Sequence, residues 1–127
     1  MLVIVVRHAK AAPGGPDTAR PLTDSGREAA LMLGELLAER ELDAVVSSPL
    51  LRARETAEAI AAAAGLEVEI DERLAPGADA DSLRAAVAGR GETVVTVGHQ
   101  PDCSEILLEL TGREVRFPTA GFAEVEL

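Results

Sequence analysis

Short runs of apolar, mostly β-branched residues recur along the chain, and longer amphipathic stretches separate them. The first, second and fourth runs predict buried strands, since a strand covered on both faces needs no polar alternation, and the third predicts a further strand. The last apolar segment alternates with acidic residues, which predicts a strand at the edge of a sheet. The five predicted strands cover residues 2–6, 43–47, 66–70, 92–97 and 122–127.

The stretches between these strands space their apolar residues three or four apart, which is the period of an amphipathic helix. Thr23 or Asp24 can cap the first helix, and Ser48 followed by Pro49 has the form of an N-cap before a first helical proline. The predicted helices cover residues 26–40, 49–64, 82–88 and 101–112. This alternation predicts an α/β fold, a three-layer α/β/α sandwich with a mainly parallel central sheet.

The chain shows no internal repeat and no linker. The segments 11–21 and 75–80 are rich in proline or glycine and are expected to form loops over one face of the sheet. Hydrophobic residues make up 47% of the chain and aromatic residues only 2%, so the core must be aliphatic. We expect residues 1–127 to form a single domain, since this length is usual for one.

The formal net charge of −10 bears on the choice of partners. A surface this acidic repels nucleic acids and anionic lipids, so neither is an expected partner. It also repels phosphate esters, so a phosphate site would need a local cluster of positive charge. The single cysteine excludes an intrachain disulfide, and the first residues do not have the form of a signal peptide. These features favour a cytoplasmic protein.

Both histidines of the chain directly follow predicted strands. Arg7 and His8 follow the first strand, His99 follows the fourth, and Arg52 and Arg54 begin the helix after the second. Ligands of open α/β sheets bind beyond the carboxyl ends of the strands. We therefore expect Arg7, His8, His99 and an arginine of that helix to meet at one edge of the sheet.

These side chains have the chemistry that phosphoryl transfer requires. Peripheral phosphoryl oxygens are negatively charged throughout the transfer, and guanidinium groups bind them through planar, paired donors. A neutral imidazole can attack phosphorus, and the adjacent Arg7 is expected to favour the neutral form of His8. A protonated His99 is expected to donate to the oxygens. The set predicts phosphoryl transfer without a metal ion or a cofactor.

Several other residues have simpler interpretations. Arg54 and Glu58 have the i,i+4 spacing of a surface ion pair, so Arg54 is set aside. Cys103 is expected to be a small buried residue, because a cysteine phosphatase needs an arginine six positions later and Glu109 stands there. Arg20 is interpreted as a charge at the outer rim of the site.

Four motifs that occur in order along the chain give it a family resemblance. They are VVRHAKA, RPLTDSG, SSPLLRARETAE and VVTVGHQP. Together they resemble the successive signatures of the histidine phosphatase superfamily, which has the phosphoglycerate mutase-like fold. The short length, the RHA form of the first motif, RPLT and the ending FPTAGFAEVEL are similar to the SixA-type phosphohistidine phosphatases.

The resemblance implies a role for each matched residue. His8 corresponds to the phosphorylated nucleophile and Arg7 to a phosphate ligand. Arg52, now preferred to Arg54, corresponds to the second phosphate-binding arginine, and His99 to the histidine that contacts the phosphoryl group. The catalytic and phosphate-binding residues implied in this way are therefore Arg7, His8, Arg52 and His99.

The chain departs from the family pattern at two points. Ala9 replaces the glycine that follows the RH pair in many relatives, which suits the SixA-like branch. Many relatives also supply a carboxylic acid to protonate the leaving oxygen, and only Glu72, Asp79 and Asp81 are weak candidates here. Without an acid, alkoxide leaving groups should be slow, since general acid catalysis contributes about 10²–10⁴-fold.

Three functions remain open at this point. The first is hydrolysis of protein phosphohistidine through phospho-His8, with a histidine phosphotransfer domain as the partner. The second is the same chemistry on a small phosphate ester, although the chain has little length to spare for a lid over such a substrate. The third is a phosphate-binding regulatory module that does not catalyse.

Overall fold

The computed structural model describes residues 1–127, and its centre is one five-stranded sheet with the order β3-β2-β4-β1-β5. The first four strands along the chain are parallel to one another, and β5 pairs with β1 in the antiparallel direction. The edge position predicted for the last strand is therefore confirmed. The strands are β1 (Leu2–Arg7), β2 (Ala44–Ser47), β3 (Val68–Ile70), β4 (Thr93–Gly98) and β5 (Phe122–Glu126).

Four helices cover the two faces of the sheet and complete the predicted three layers. Thr23 caps the first helix, with its side chain accepting a hydrogen bond from the backbone N–H of Gly26. Gly65 ends the second helix in the left-handed conformation, at φ 72°. The helices are α1 (Asp24–Leu37), α2 (Leu51–Ala64), α3 (Ala80–Val87) and α4 (Asp102–Thr111).

The side chains of β1 alternate between two separate hydrophobic clusters. Val3 and Val5 pack with α3 and α4, whereas Ile4 and Val6 pack with α1 and α2. All four are buried, which explains why the strand is apolar at every position. Helix α1 approaches α2 closely at Gly34, where an added Cβ would lie 2.7 Å from the carbonyl oxygen of Ala59.

Several boundaries differ from the sequence prediction. Helix α1 begins two residues earlier and ends three residues earlier than predicted, and β3 is two residues shorter. Helix α2 begins at Leu51, and Leu50 rather than Ser48 is its N-cap residue. The prediction that Ser48 caps a helix starting at Pro49 is therefore wrong. No helix in the structure combines the length and the apolar composition that a membrane crossing needs.

Candidate active site

Strand register brings the two histidines to the same edge of the sheet. Arg7 of β1 pairs with Gly98 of β4, so the next residues, His8 and His99, leave the sheet side by side. The N–H of His8 also donates to the Gly98 carbonyl, at 3.0 Å. The two imidazole rings lie with their centroids 5.3 Å apart. The topological expectation that these residues meet is thus confirmed for both histidines.

A hydrogen bond to the backbone assigns the proton on the His8 ring. Nδ1 of His8 lies 2.6 Å from the carbonyl oxygen of Ala9, and a carbonyl can only accept. Nδ1 therefore carries the hydrogen, and Nε2 keeps the lone pair that a nucleophile needs. The N–H of Ala9 donates to Oγ1 of Thr56 at 3.0 Å, so α2 holds the backbone that orients His8.

The surroundings of His8 favour its neutral form. Burial lowers the pKa of His8, and the hydrogen bond to Ala9 partly opposes this effect. The positive charges of Arg52, Arg7 and Arg20 lower the pKa further. Arg7 lowers the pKa of His8 as expected, but burial lowers it more.

His99 differs from the expectation in its charge. Burial, together with the neighbouring His8 and Arg52, lowers the pKa of His99 to about 4, although the Asp17 carboxylate acts the other way. His99 is therefore neutral near pH 7 in the free protein, and the expectation of a protonated imidazole is wrong there. Its Nε2 lies 2.7 Å from Oγ of Ser48, whereas its buried Nδ1 has no partner.

The hydrogen bonds of Ser48 indicate which tautomer His99 adopts. Oγ of Ser48 accepts from the N–H of Leu50 at 3.2 Å, and His99 is its only other partner. If Ser48 donates to Nε2, the hydroxyl is fully paired and His99 presents one free N–H at Nδ1. The reverse arrangement leaves two buried groups unpaired. The first arrangement is favoured because each unpaired buried group costs about 1–3 kcal/mol.

Three guanidinium groups supply positive charge near His8. Arg7 donates to the carbonyl of Phe117 at 2.9 Å, while its buried Nε has no partner. Arg52 is buried and donates to the carbonyl of Asp17 at 2.8 Å. Arg20 donates from Nε to the Ala12 carbonyl at 2.9 Å. The Arg20 side chain is partly exposed, and its positive charge acts on His8 less than those of Arg52 and Arg7.

The weaker sequence candidates make no polar contact with this group. No hydrogen bond or ion pair joins Glu72, Asp79 or Asp81 to any of the four predicted residues, and all three are exposed. The Asp79 carboxylate instead caps α3 by accepting from the backbone and the hydroxyl of Ser82.

Two more sequence interpretations have definite outcomes. The expected ion pair between Arg54 and Glu58 does not form. Cys103 is buried as expected, and burial raises the pKa of its thiol to about 12. A thiol with that pKa is unreactive at neutral pH.

Two residues that position the site were not predicted to do so from the sequence. Thr56 lies four residues after Arg52, and its hydroxyl links the Arg52 carbonyl to the N–H of Ala9. Ser48, interpreted as a helix cap, instead bonds to His99. The spacing of Arg52 and Thr56 could have revealed the role of Thr56, because residues four apart share a helix face.

The site has no deep cavity of its own. Three concavities of about 240, 330 and 360 Å³ lie elsewhere on the surface, and none includes any of the four predicted residues. His99 lines only a small internal cavity of about 10 Å³. The site therefore consists largely of buried side chains, His8, Arg52 and His99, without a large cavity beside them.

Comparison with known proteins gives the family. The model of the histidine phosphatase superfamily (branch 1) matches residues 3–76. The chain is 32% identical over 138 residues to phosphohistidine phosphatase SixA of Escherichia coli (strain K12), covering 100% of this chain and 86% of that protein. It is also 36% identical over 116 residues to an uncharacterized protein of Picosynechococcus, covering 83% of this chain and 70% of the relative.

A solved structure agrees with the sequence relatives. The structure of the protein histidine phosphatase SixA complexed with tungstate matches with a TM-score of 0.88 at 29% identity, covering 100% of this chain and 88% of that one. The fold, the motif order and these relatives agree, and the chain belongs to the histidine phosphatase superfamily (branch 1), in which it is SixA-like.

Proposed function

We propose that this protein is a phosphohistidine phosphatase that transfers the phosphoryl group of a phosphorylated protein to His8 and then to water. The observation that carries this proposal is the pairing of His8 with the Ala9 carbonyl, which leaves Nε2 free beside Arg52 and His99. Arg7, His8, Arg52 and His99 are the catalytic and phosphate-binding residues of the proposal. Residues 1–127 act as one catalytic domain.

In the first step, the Nε2 lone pair of His8 attacks phosphorus. A bond forms between Nε2 and phosphorus, and the bond from phosphorus to the substrate imidazole breaks. The electron pair of that bond stays on the departing nitrogen, and the imidazole leaves as a neutral ring because its other nitrogen was protonated in advance. Arg7 and Arg52 stabilise the peripheral oxygens, since such preorganised charge is the main contribution to phosphoryl transfer.

In the second step, water attacks the phosphorus of phospho-His8. The new oxygen–phosphorus bond replaces the nitrogen–phosphorus bond, the electron pair returns to Nε2, and inorganic phosphate leaves. His99, whose ring centroid lies 5.3 Å from that of His8, contacts the phosphoryl group in both steps of the proposal. All the positive charge comes from guanidinium groups, so the proposal predicts that a metal chelator leaves turnover unchanged.

Two observations favour protein phosphohistidine over a small phosphate ester. The candidate acids Glu72, Asp79 and Asp81 make no hydrogen bond or ion pair with the four site residues, and an imidazole leaving group can be protonated in advance. No large cavity includes the four site residues, whereas small-molecule pockets bury most of their ligand. The SixA relative supports the same substrate, since its name is phosphohistidine phosphatase.

The test compares two substrates and two variants. Phosphate release is measured from a histidine-phosphorylated phosphotransfer domain and from p-nitrophenyl phosphate, with wild type, His8→Gln and His99→Gln. Because the chain has only two histidines, any phosphohistidine trapped in His99→Gln is on His8. We expect this trapped label, no label in His8→Gln, and faster wild-type turnover of the phosphoprotein than of the aryl ester.

Each of the other outcomes contradicts a different part of the proposal. Wild-type turnover by His8→Gln would rule out the covalent mechanism. Faster turnover of p-nitrophenyl phosphate would indicate a general phosphomonoesterase. Oxyanion binding without turnover of either substrate would indicate a regulatory binding module.

A further inference from the structure

The guanidinium of Arg52 is already engaged by an anion of the chain itself. Its two terminal nitrogens lie 3.5 and 3.4 Å from the two carboxylate oxygens of Asp17, one nitrogen to each oxygen. The carboxylate therefore faces the paired donors that a phosphoryl group would use, in the side-by-side geometry that guanidinium groups form with anions. Arg52 is 8% exposed, so it has few other orientations.

A second arginine approaches the same carboxylate. Arg20 donates to Oδ1 of Asp17 at 3.2 Å, and its positive charge also acts on His8. The Asp17 charge in turn acts on His99. Asp17 thus lies among the charged groups of the candidate site, although it belongs to the exposed 3₁₀ turn Asp17–Ala19. Arg52 and Arg20 lower the pKa of Asp17, so it is an anion at neutral pH.

The backbone and the side chain of Asp17 bind Arg52 independently. The carbonyl oxygen accepts from Arg52 at 2.8 Å, a shorter contact than either carboxylate oxygen makes. The Asp17 side chain is 65% exposed and can rotate into solvent. The carboxylate can therefore leave while the carbonyl still anchors Arg52.

We propose that the Asp17 carboxylate binds Arg52 and Arg20 in the free enzyme and competes with phosphate for these two arginines. An incoming phosphoryl group displaces the carboxylate. The inference rests on the proposed function, since it takes Arg52 as a phosphate ligand. Its consequence is a lower affinity for every phosphate anion, including the product. Asp17 thereby limits inhibition by the phosphate product. It also weakens the binding of small substrates, which attach only through their phosphate, more than the binding of a protein substrate, which makes further contacts around the site.

The test measures the binding of tungstate and of inorganic phosphate by calorimetry. Asp17→Asn keeps the size of the side chain and the carbonyl anchor but removes the charge. Asp24→Asn is the matched control, because it makes the same charge change at a fully exposed residue whose only ion pair is a 3.8 Å contact with Arg27. Removal of one negative charge beside a bound dianion predicts about 10-fold tighter tungstate binding by Asp17→Asn.

We expect Asp24→Asn to change tungstate affinity by less than about 2-fold, since exposed charges at a distance are screened. We also expect Asp17→Asn to lower the inhibition constant of inorganic phosphate in parallel, with an unchanged thermal unfolding midpoint without ligand. Equal or weaker tungstate binding by Asp17→Asn than by wild type would overturn the inference alone. Failure of all three proteins to bind tungstate or phosphate would overturn the proposed function as well.

Discussion

The buried imidazole of His99 should make the stability of the protein depend on pH. Burial lowers the pKa of His99 from 6.5 to about 4 in the folded chain, whereas the unfolded chain keeps the ordinary value. Between these two values, the unfolded state binds a proton that the folded state does not. The free energy of unfolding is therefore highest above pH 6.5, decreases as the pH falls, and levels off below about pH 4.

The size of this effect follows from the pKa difference. Each unit of difference corresponds to about 1.4 kcal/mol, so His99 alone should lower the free energy of unfolding by about 2 kcal/mol between pH 7 and pH 5. His8 acts with the same sign, since its pKa is also lowered by burial. The pKa of Asp71 is lowered to about 2, so its contribution appears at lower pH and leaves this window clear.

Urea unfolding at pH 7.0 and pH 5.0 measures the effect. Far-ultraviolet circular dichroism is the suitable signal, because the chain has no tryptophan and no tyrosine. Wild type, His99→Gln and His8→Gln are compared, and only the difference between the two pH values is used for each protein. We expect His99→Gln to lose about 2 kcal/mol less than wild type on acidification. An equal loss in wild type and His99→Gln would refute the argument that His99 is buried in its neutral form.

Two further substitutions test how α2 supports the site. Thr56→Val keeps the side-chain volume but leaves the buried N–H of Ala9 unpaired, so we expect a loss of about 1–3 kcal/mol in urea unfolding and a lower kcat. Thr56→Ser keeps the hydroxyl and should retain the wild-type kcat; a similar kcat in both variants would contradict this role. Gly34→Ala places a Cβ against the Ala59 carbonyl and should cost about 1–3 kcal/mol, and an unchanged unfolding midpoint would show that the helices separate freely.

The strand positions could be predicted because burial on both faces imposes a strong pattern. In β1, every residue from Val3 to Val6 contacts one of two hydrophobic clusters, and the sequence is correspondingly apolar throughout. The parallel sheet then determines which ends meet, so the approach of His8 to His99 follows from the strands alone. Helix ends were less predictable, because local capping signals compete with tertiary contacts. Ser48 satisfies the pattern of an N-cap but bonds to His99 instead.

Contacts between segments distant in sequence could not be predicted from local pattern. Thr56 supports Ala9 across 47 positions, and Asp17 contacts Arg52 across 35 positions. Each contact depends on how the loop before α1 folds over the start of α2. That loop is rich in proline and glycine and carries no periodic signal, so the sequence indicates a loop without indicating its path.

The charge states of the histidines also depend on tertiary structure. Adjacent Arg7 gives the correct direction for the pKa of His8, but burial is the main cause, and burial arises only when the sheet and helices assemble. The same burial makes His99 neutral near pH 7. With both imidazoles neutral, the permanent positive charge of the site lies on guanidinium groups, which do not titrate near neutrality. The Asp17 carboxylate pairs with two of these groups, Arg52 and Arg20. We therefore expect the loop before α1, and not the pH, to control access of phosphate to Arg52.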